Sequence, residues 1–271
     1  MAAITELITN RSGVKQFRRH WKCTTDPGAA MLIVHGISEH SGRYAEVAEH
    51  FVASGIDVLA FDLRGHGETH GRRGYVDRFG QLLDDVEELL EERRTLRVPV
   101  VLLGHSLGGL ICTAYATTDR PQPDLLVLSA PALAANVPGW QRLIAPVFSF
   151  ISPTLALPSD FDGALLSRDA AVGEAYRTDP LRVTKTTVRL GNEIFSAMDR
   201  TNDRLSKIQV PTYVLHGTAD DLVPPAASAP LEALADVTRV LHPDLRHECL
   251  NEPERDAVLA GIDEWLAPRI G

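Results

Sequence analysis

Apolar and polar residues alternate over residues 14–21, where Val14, Phe17 and Trp21 interrupt charged and polar neighbours, and this predicts a half-solvated strand. Residues 29–34 are apolar throughout, and mainly apolar runs follow at 57–61, 99–103, 125–128, 211–215 and 237–241. Short apolar runs flanked by Gly or Pro fit strands buried on both faces of a parallel sheet. Helical periodicity fills the gaps. Residues 43–53 put Tyr44, Val47, Ala48 and Phe51 on one face. Residues 79–97 put Phe79, Leu82, Leu83, Val86, Leu89 and Leu90 on one face, with Asp84, Glu87, Glu88, Glu91 and Glu92 opposite. Residues 107–117 are small and apolar, which predicts a buried helix. Residues 253–266 begin with Pro253 and turn Val258, Leu259, Ile262 and Trp265 inward. Strands alternating with helices predict an α/β architecture with a mostly parallel sheet covered on both faces.

One stretch breaks this rhythm. Between the strands near 129 and 211 lie Pro131, Pro138, Pro146, Pro153, Pro158 and Pro180, with helical patches between them. A structureless loop of that length is improbable in a compact domain. The pattern therefore predicts a core from residues 1–135 and 206–271, with a helical insertion over 136–205 at one edge of the sheet.

Composition narrows the function. The 271 residues are 44% hydrophobic, enough for a sizeable core, and 27 Lys+Arg against 36 Asp+Glu give a formal charge of −9. Such an acidic chain lacks the basic face that nucleic acid requires. It is also poorly suited to electrostatic docking on anionic lipid. Cys23, Cys112 and Cys249 are too few and too scattered for a disulfide framework or a zinc site. The N-terminal residues lack the layout of a secretory signal, and no apolar run reaches the ~18 residues of a membrane span. A cytoplasmic globular protein is the expectation.

The sharpest chemical signal is Gly104-His105-Ser106-Leu107-Gly108, between an apolar strand and a small-residue helix. This is G-x-S-x-G in the strand–turn–helix context that makes it a nucleophile elbow. A serine nucleophile needs a base and an orienting acid, which follow it in the chain as acid, then His. The strand 211–215 runs into His216-Gly217-Thr218-Ala219-Asp220-Asp221, so Asp220 and Asp221 compete for the acid role. His242 and His247 both follow the strand 237–241, and His247, in the loop before the last helix, is better placed as the base. Two backbone N–H groups should hold the developing oxyanion: Leu107, just after Ser106, and Ile37, in the loop after the strand 29–34.

These residues bring a resemblance into view. The chain resembles the α/β-hydrolase superfamily and, more narrowly, the monoacylglycerol lipases, particularly bacterial ones. The likeness covers nearly the whole chain. It rests on His35-Gly36-Ile37-Ser38-Glu39-His40-Ser41-Gly42-Arg43-Tyr44, Phe61-Asp62-Leu63-Arg64-Gly65-His66-Gly67, Gly104 to Gly109, Leu128-Ser129-Ala130-Pro131 and His216 to Asp220. The elbow is superfamily-wide. The HGxxEHxxRY string together with RGHG is far more specific. The resemblance implies the α/β-hydrolase fold, with a mostly parallel sheet of about eight strands flanked by helices and an inserted helical cap. It makes Asp220 the acid, His247 the base, and Ile37 and Leu107 the oxyanion donors. It implies no metal and no organic cofactor.

The implied reaction is cleavage of monoacylglycerols to fatty acid and glycerol through an acyl-enzyme. The alternative is the same chemistry on another monoester: a lysophospholipid, a small alkyl or aryl ester, or a phthalate monoester. A haloperoxidase or C–C hydrolase could use the same triad. A non-catalytic binding protein is disfavoured because Ser106, Asp220 and His247 are all present. Glu39, Arg43 and His105 are candidates to bind the glycerol hydroxyls, while Glu39 and Arg43 could equally form a structural ion pair.

The insertion carries a dense apolar stretch: Trp140, Leu143, Ile144, Val147, Phe148, Phe150, Ile151, Leu155 and Leu157. Packing onto the body and around an acyl tunnel is the simpler expectation, because large exposed apolar patches are uncommon. Transient contact with a lipid surface is the other. Cys249, two residues past His247, is a position where thiol modification would crowd the base, unless it is a small buried residue.

Overall fold

The computed structural model describes residues 2–137, 139–159 and 161–270, with the side chains of residues 139–141 outside the description. Its centre is an eight-stranded sheet. In chain order the strands are β1 (Ile4–Thr9), β2 (Lys15–Trp21), β3 (Ala29–Val34), β4 (Ile56–Phe61), β5 (Val100–His105), β6 (Leu125–Ser129), β9 (Thr212–Gly217) and β10 (Val237–His242). Their spatial order is β1-β2-β4-β3-β5-β6-β9-β10. β1 and β2 are antiparallel additions at one edge, and the remaining neighbours run parallel. This is the architecture that the resemblance implies.

The two-residue period of a strand divides its side chains between two cores. From β3, Met31 and Ile33 join one apolar cluster, and Leu32 and Val34 join the other. Val101 and Leu103 of β5 face the first, and Val100 and Leu102 the second. Helix α1 (Ala45–Ala53) and helix α7 (Arg255–Ile270) cover the first face through Val47, Phe51, Ile262 and Trp265. Helices α2 (Gly80–Arg94) and α3 (Leu107–Ala116) cover the second. The fully buried aliphatic side chains each contribute ~1.5–3 kcal/mol of burial.

Two boundaries depart from expectation. β1 carries no strand signal in the sequence, because this edge strand is exposed or half-buried along its whole length and its side chains need not alternate. The last helix begins at Arg255, so Pro253 precedes it rather than opening it.

Between β6 and β9 the chain forms helices α4 (Gly139–Ile151), α5 (Ala170–Thr178) and α6 (Val188–Asn202) and a small hairpin of β7 (Ala156–Pro158) with β8 (Lys185–Thr187). The packing expected of its apolar stretch holds only in part. Ile144, Phe148, Leu155 and Leu157 line a cavity, but Leu143, Phe150 and Ile151 are 78%, 86% and 72% exposed. The Trp140 side chain lies outside the described residues. No described helix is long and apolar enough to cross a membrane.

The crossovers decide where chemistry sits. After β3 the chain runs through α1 to β4 on one side, and α2 then carries it across to β5 on the other. The loops leaving β3 and β5 diverge at this switch point, which opens a crevice at the carboxyl ends of the strands.

Candidate active site

Ser106 occupies that crevice between β5 and α3. Its backbone has φ 52° and ψ −115°, a left-handed conformation that costs a residue with a side chain about 1–3 kcal/mol. Hydrogen bonds hold it there: Ser106 N donates to Ser129 O at 3.0 Å, and Ser106 O accepts from Leu110 N at 2.9 Å and Ala132 N at 3.0 Å. The flanking glycines are required by close approach. A Cβ on Gly108 would stand 2.0 Å from Val34 O, and one on Gly104 would stand 2.4 Å from Gly108 O. The turn therefore packs backbone against backbone and lifts Ser106 to the wall of the cavity.

Asp220 and His247 come together 27 positions apart, with His247 Nδ1 2.7 Å from Asp220 Oδ2. Asp220 is buried, and its other oxygen accepts from the amides of Leu222 and Val223, each at 2.9 Å. Asp221 is exposed and lines the cavity wall instead. The geometry thus brings to His247 the aspartate that the resemblance implies as the acid. Burial alone would raise the Asp220 carboxyl, but hydrogen bonds from His216 and His247 hold it well below the usual carboxylate range. His216 is a contributor that sequence reasoning missed. Its Nε2 lies 3.2 Å from Asp220 Oδ2 and 3.0 Å from Val223 O. Spacing was the available signal, since the first and fifth residues of HGTAD both end up buried at the tip of β9.

Ser106, His247, Ile37 and Leu107 all line one cavity of about 630 Å³. Leu107 is the first residue of α3, whose leading amides have no partner within the helix. Ile37 sits on the loop after β3, braced by Ser38 at φ 62° and by Glu39, whose Oε1 accepts from Gly36 N at 2.5 Å. His35 anchors the start of that loop. Its Nδ1 lies 2.7 Å from Gly36 O, and its Nε2 accepts from Leu63 N at 2.9 Å. Burial, the largest influence, lowers the His35 imidazole to about 4.

The candidate substrate-binding residues have partners of their own. Arg43 donates from Nη1 to Glu248 Oε1 at 2.6 Å and from Nη2 to Glu248 Oε2 at 2.7 Å. It also donates to Glu39 Oε2 at 3.1 Å. The structural ion pair allowed by the sequence is present, and it faces the cavity. His105 is buried, 3.1 Å from Ser129 Oγ, with its ring 4.8 Å from that of His247. Burial and then His247 lower its imidazole to about 4, so it is neutral near pH 7. Cys249 is fully buried, and burial followed by Asp220 and Glu252 pushes its thiol up to about 12. That environment suits the small buried residue and not a site of modification. Among the described residues no group of three His, Cys, Asp or Glu side chains could hold a metal ion.

The rest of the cavity wall is mainly apolar, with Ile144, Phe148, Leu157, Ile194, Phe195 and Met198 contributed by the insertion. One chamber thus joins a buried acid–imidazole pair, a strained serine and an apolar volume large enough for a hydrocarbon chain.

The chain is similar to known proteins over most of its length. The family model described as serine aminopeptidase, S33, matches residues 25–254. The monoacylglycerol lipase of Mycolicibacterium smegmatis is 33% identical over 273 residues, covering 95% of this chain and 95% of its own length. The monoglyceride lipase of Homo sapiens is 31% identical over 274 residues, covering 97% of this chain and 90% of its own. The crystal structure of Paleococcus ferrophilus monoacylglycerol lipase matches with a TM-score of 0.86 at 32% identity, covering 94% of this chain and 99% of that one.

Proposed function

The chain belongs to the S33 family of serine hydrolases with the α/β-hydrolase fold, and within it to the monoacylglycerol lipases; from that membership we propose that it cleaves monoacylglycerols to fatty acid and glycerol. The observation that carries the reading is the cavity itself. Ser106 and His247 share its wall with apolar side chains of the insertion and with the polar cluster of Glu39, Arg43 and Glu248.

The mechanism follows from the hydrogen bonds. His247 Nδ1–H donates to Asp220, which leaves Nε2 as the base. Nε2 takes the Ser106 proton as Oγ attacks the ester carbonyl. The tetrahedral oxyanion accepts from the amides of Ile37 and Leu107, each worth ~3–4 kcal/mol in the transition state. The imidazolium then protonates the leaving alcohol, and an acyl-serine remains. Water, deprotonated by the same imidazole, attacks that ester, and proton return to Ser106 releases the fatty acid. Asp220 stays ionised throughout and orients the ring.

Residues 136–205 act as a cap whose inner side forms the acyl tunnel. Its outer side, with Leu143, Phe150 and Ile151 exposed on α4, makes transient apolar contact with the lipid surface that supplies substrate. Hydrolysis rates for mono-, di- and triacylglycerols of graded chain length, measured beside Ser106→Ala, test the reaction. Monoacylglycerols should lead, and Ser106→Ala should abolish turnover. Clear preference for triacylglycerol, or activity surviving in Ser106→Ala, would overturn it. Co-sedimentation with neutral vesicles tests the surface contact: Phe150→Ser with Ile151→Ser should weaken it while hydrolysis of a monomeric short-chain ester persists.

A further inference from the structure

The charged side chains that line the cavity sum to a net negative charge. Among the described lining residues, Glu39, Asp221 and Glu248 are acidic and Arg43 is the one cation, a formal excess of two negative charges beside His105, which is neutral. Arg43 is already paired with two carboxylates. Both oxygens of Glu248 take its two terminal nitrogens, Glu39 takes Nη1 as well, and the Tyr176 ring lies 5.4 Å from its guanidinium carbon. Burial works against the guanidinium charge, yet Glu248 and then Glu39 raise its pKa above the ordinary range. Burial likewise opposes the Glu248 charge, and Arg43 more than offsets it.

The two carboxylates keep spare capacity. An ionised carboxylate offers about four lone-pair sites. Glu39 accepts from Gly36 N, Tyr44 Oη–H and Arg43, and Glu248 accepts from Arg43 twice and from Asn251 Nδ2. What this end of the chamber offers an incoming group is therefore acceptors and negative potential.

We propose that Glu248 is a specificity-determining residue. By engaging both terminal nitrogens of Arg43 and balancing its charge, it makes the leaving-group subsite rich in acceptors and net negative. The subsite then admits alcohols that donate hydrogen bonds, neutral or cationic, and rejects alcohols that carry a phosphate. A phosphate brings acceptors and negative charge, and the one cation it meets among the described lining residues is already paired with two carboxylates. Like-charge juxtaposition in a desolvated site costs several kcal/mol. The proposal rests on the esterase reading above. It decides between monoacylglycerols and lysophospholipids within that reading, and it adds esters of amino alcohols to the accepted class.

The test compares three octanoyl esters below their aggregation limits: those of glycerol, 2-(dimethylamino)ethanol and glycerol 3-phosphate. The first two should have kcat/KM values within about tenfold of each other, and the phosphate ester should fall about 100-fold below the glycerol ester. Glu248→Gln releases part of Arg43 and should raise the phosphate-to-glycerol ratio about tenfold. A purely structural role would lower both rates together and leave that ratio unchanged. Glu39→Gln loosens Arg43 from the other side and should move the ratio the same way, which covers a Glu248→Gln chain that fails to fold. Equal kcat/KM for phosphate and glycerol esters in the unaltered protein would overturn the proposal, as would an unchanged ratio in a folded variant. Hydrolysis of none of the three esters would instead remove the esterase reading on which it stands.

Discussion

At one end of the cavity, Ser106, Leu107 and Ile37 stand on loops that leave β5 and β3, strands with every residue buried. At the other end, Ile144, Phe148 and Leu157 come from an insertion that leaves Leu143, Phe150 and Ile151 largely in solvent. The catalytic end is rigid because its backbone is locked on several sides: Gly108 against Val34, Ser106 against Ser129 and Ala132, His35 against Leu63. The insertion is tied to the body through α6, whose Leu190, Ile194, Ala197 and Met198 join the second core cluster, and near α5, where Asp179 meets His40 at 2.7 Å and Arg168 meets Glu252 at 3.3 Å. Chemistry needs positions held to a fraction of an ångström, and a closely packed sheet edge provides them. Accommodation of an acyl chain needs apolar volume, which helices can supply with looser packing.

Mutations at the catalytic end should have the largest effects. Ser106→Ala should lower kcat by about 10⁵–10⁶ with an unchanged circular dichroism spectrum. Asp220→Asn should lower kcat by about 10⁴, because the tautomer that presents Nε2 as a base is lost. Asp221→Asn, one residue away, should change it less than about twofold, because Asp221 does not touch His247. A ranking of Asp221 above Asp220 would break the assignment.

The glycines sharpen the comparison through stability. Gly108→Ala forces a Cβ to within 2.0 Å of Val34 O and should cost about 2–4 kcal/mol in urea unfolding. Gly191, inside α6 of the insertion, has open space for 4 Å around the place a Cβ would take, so Gly191→Ala should stabilise by about 0.5–1 kcal/mol. Equal costs at the two sites would mean that body and insertion are packed alike.

Acid should separate the regions as well. None of the ten histidines lies within residues 136–205. In the body, burial, the largest influence on each, lowers His35 and His105 from 6.5 to about 4 and His66 to about 3. The unfolded chain binds these protons first, so stability is fully present above about 6.5 and falls as pH drops towards about 4. The unfolding midpoint should drop by several degrees between pH 7 and pH 4.5, and His105→Asn should flatten that slope. A midpoint independent of pH over this window would show that the three rings are not held neutral by burial.

Much of this was legible in the chain. The inner strands β3 to β6 and β9 follow from mainly apolar runs, because a strand buried on both faces has few polar positions to confuse the reading, while β2 follows from its alternation. The elbow follows from Gly104 to Gly108, because only small residues fit a turn so tightly packed. β1 was illegible because an exposed edge strand carries no burial pattern. The roles of His216 and Glu248 were illegible too, because their partners, Asp220 in a tight turn and Arg43 some 205 positions away, meet them only on folding.

The sequence by itself determined the sheet-and-helix order, the nucleophile elbow and the family, since all three are written in local pattern and motif. Motif spacing left Asp220 and Asp221 in competition, the family resemblance chose Asp220, and tertiary structure brought Asp220 to His247. It also decided which apolar residues of the insertion line the cavity, and that Arg43 is already spent on Glu248 and Glu39. The physical reason is the same in each case. Local pattern reports what a residue prefers as its surroundings, whereas an ion pair, a burial side or a hydrogen-bond partner depends on distant chain brought within about 3 Å.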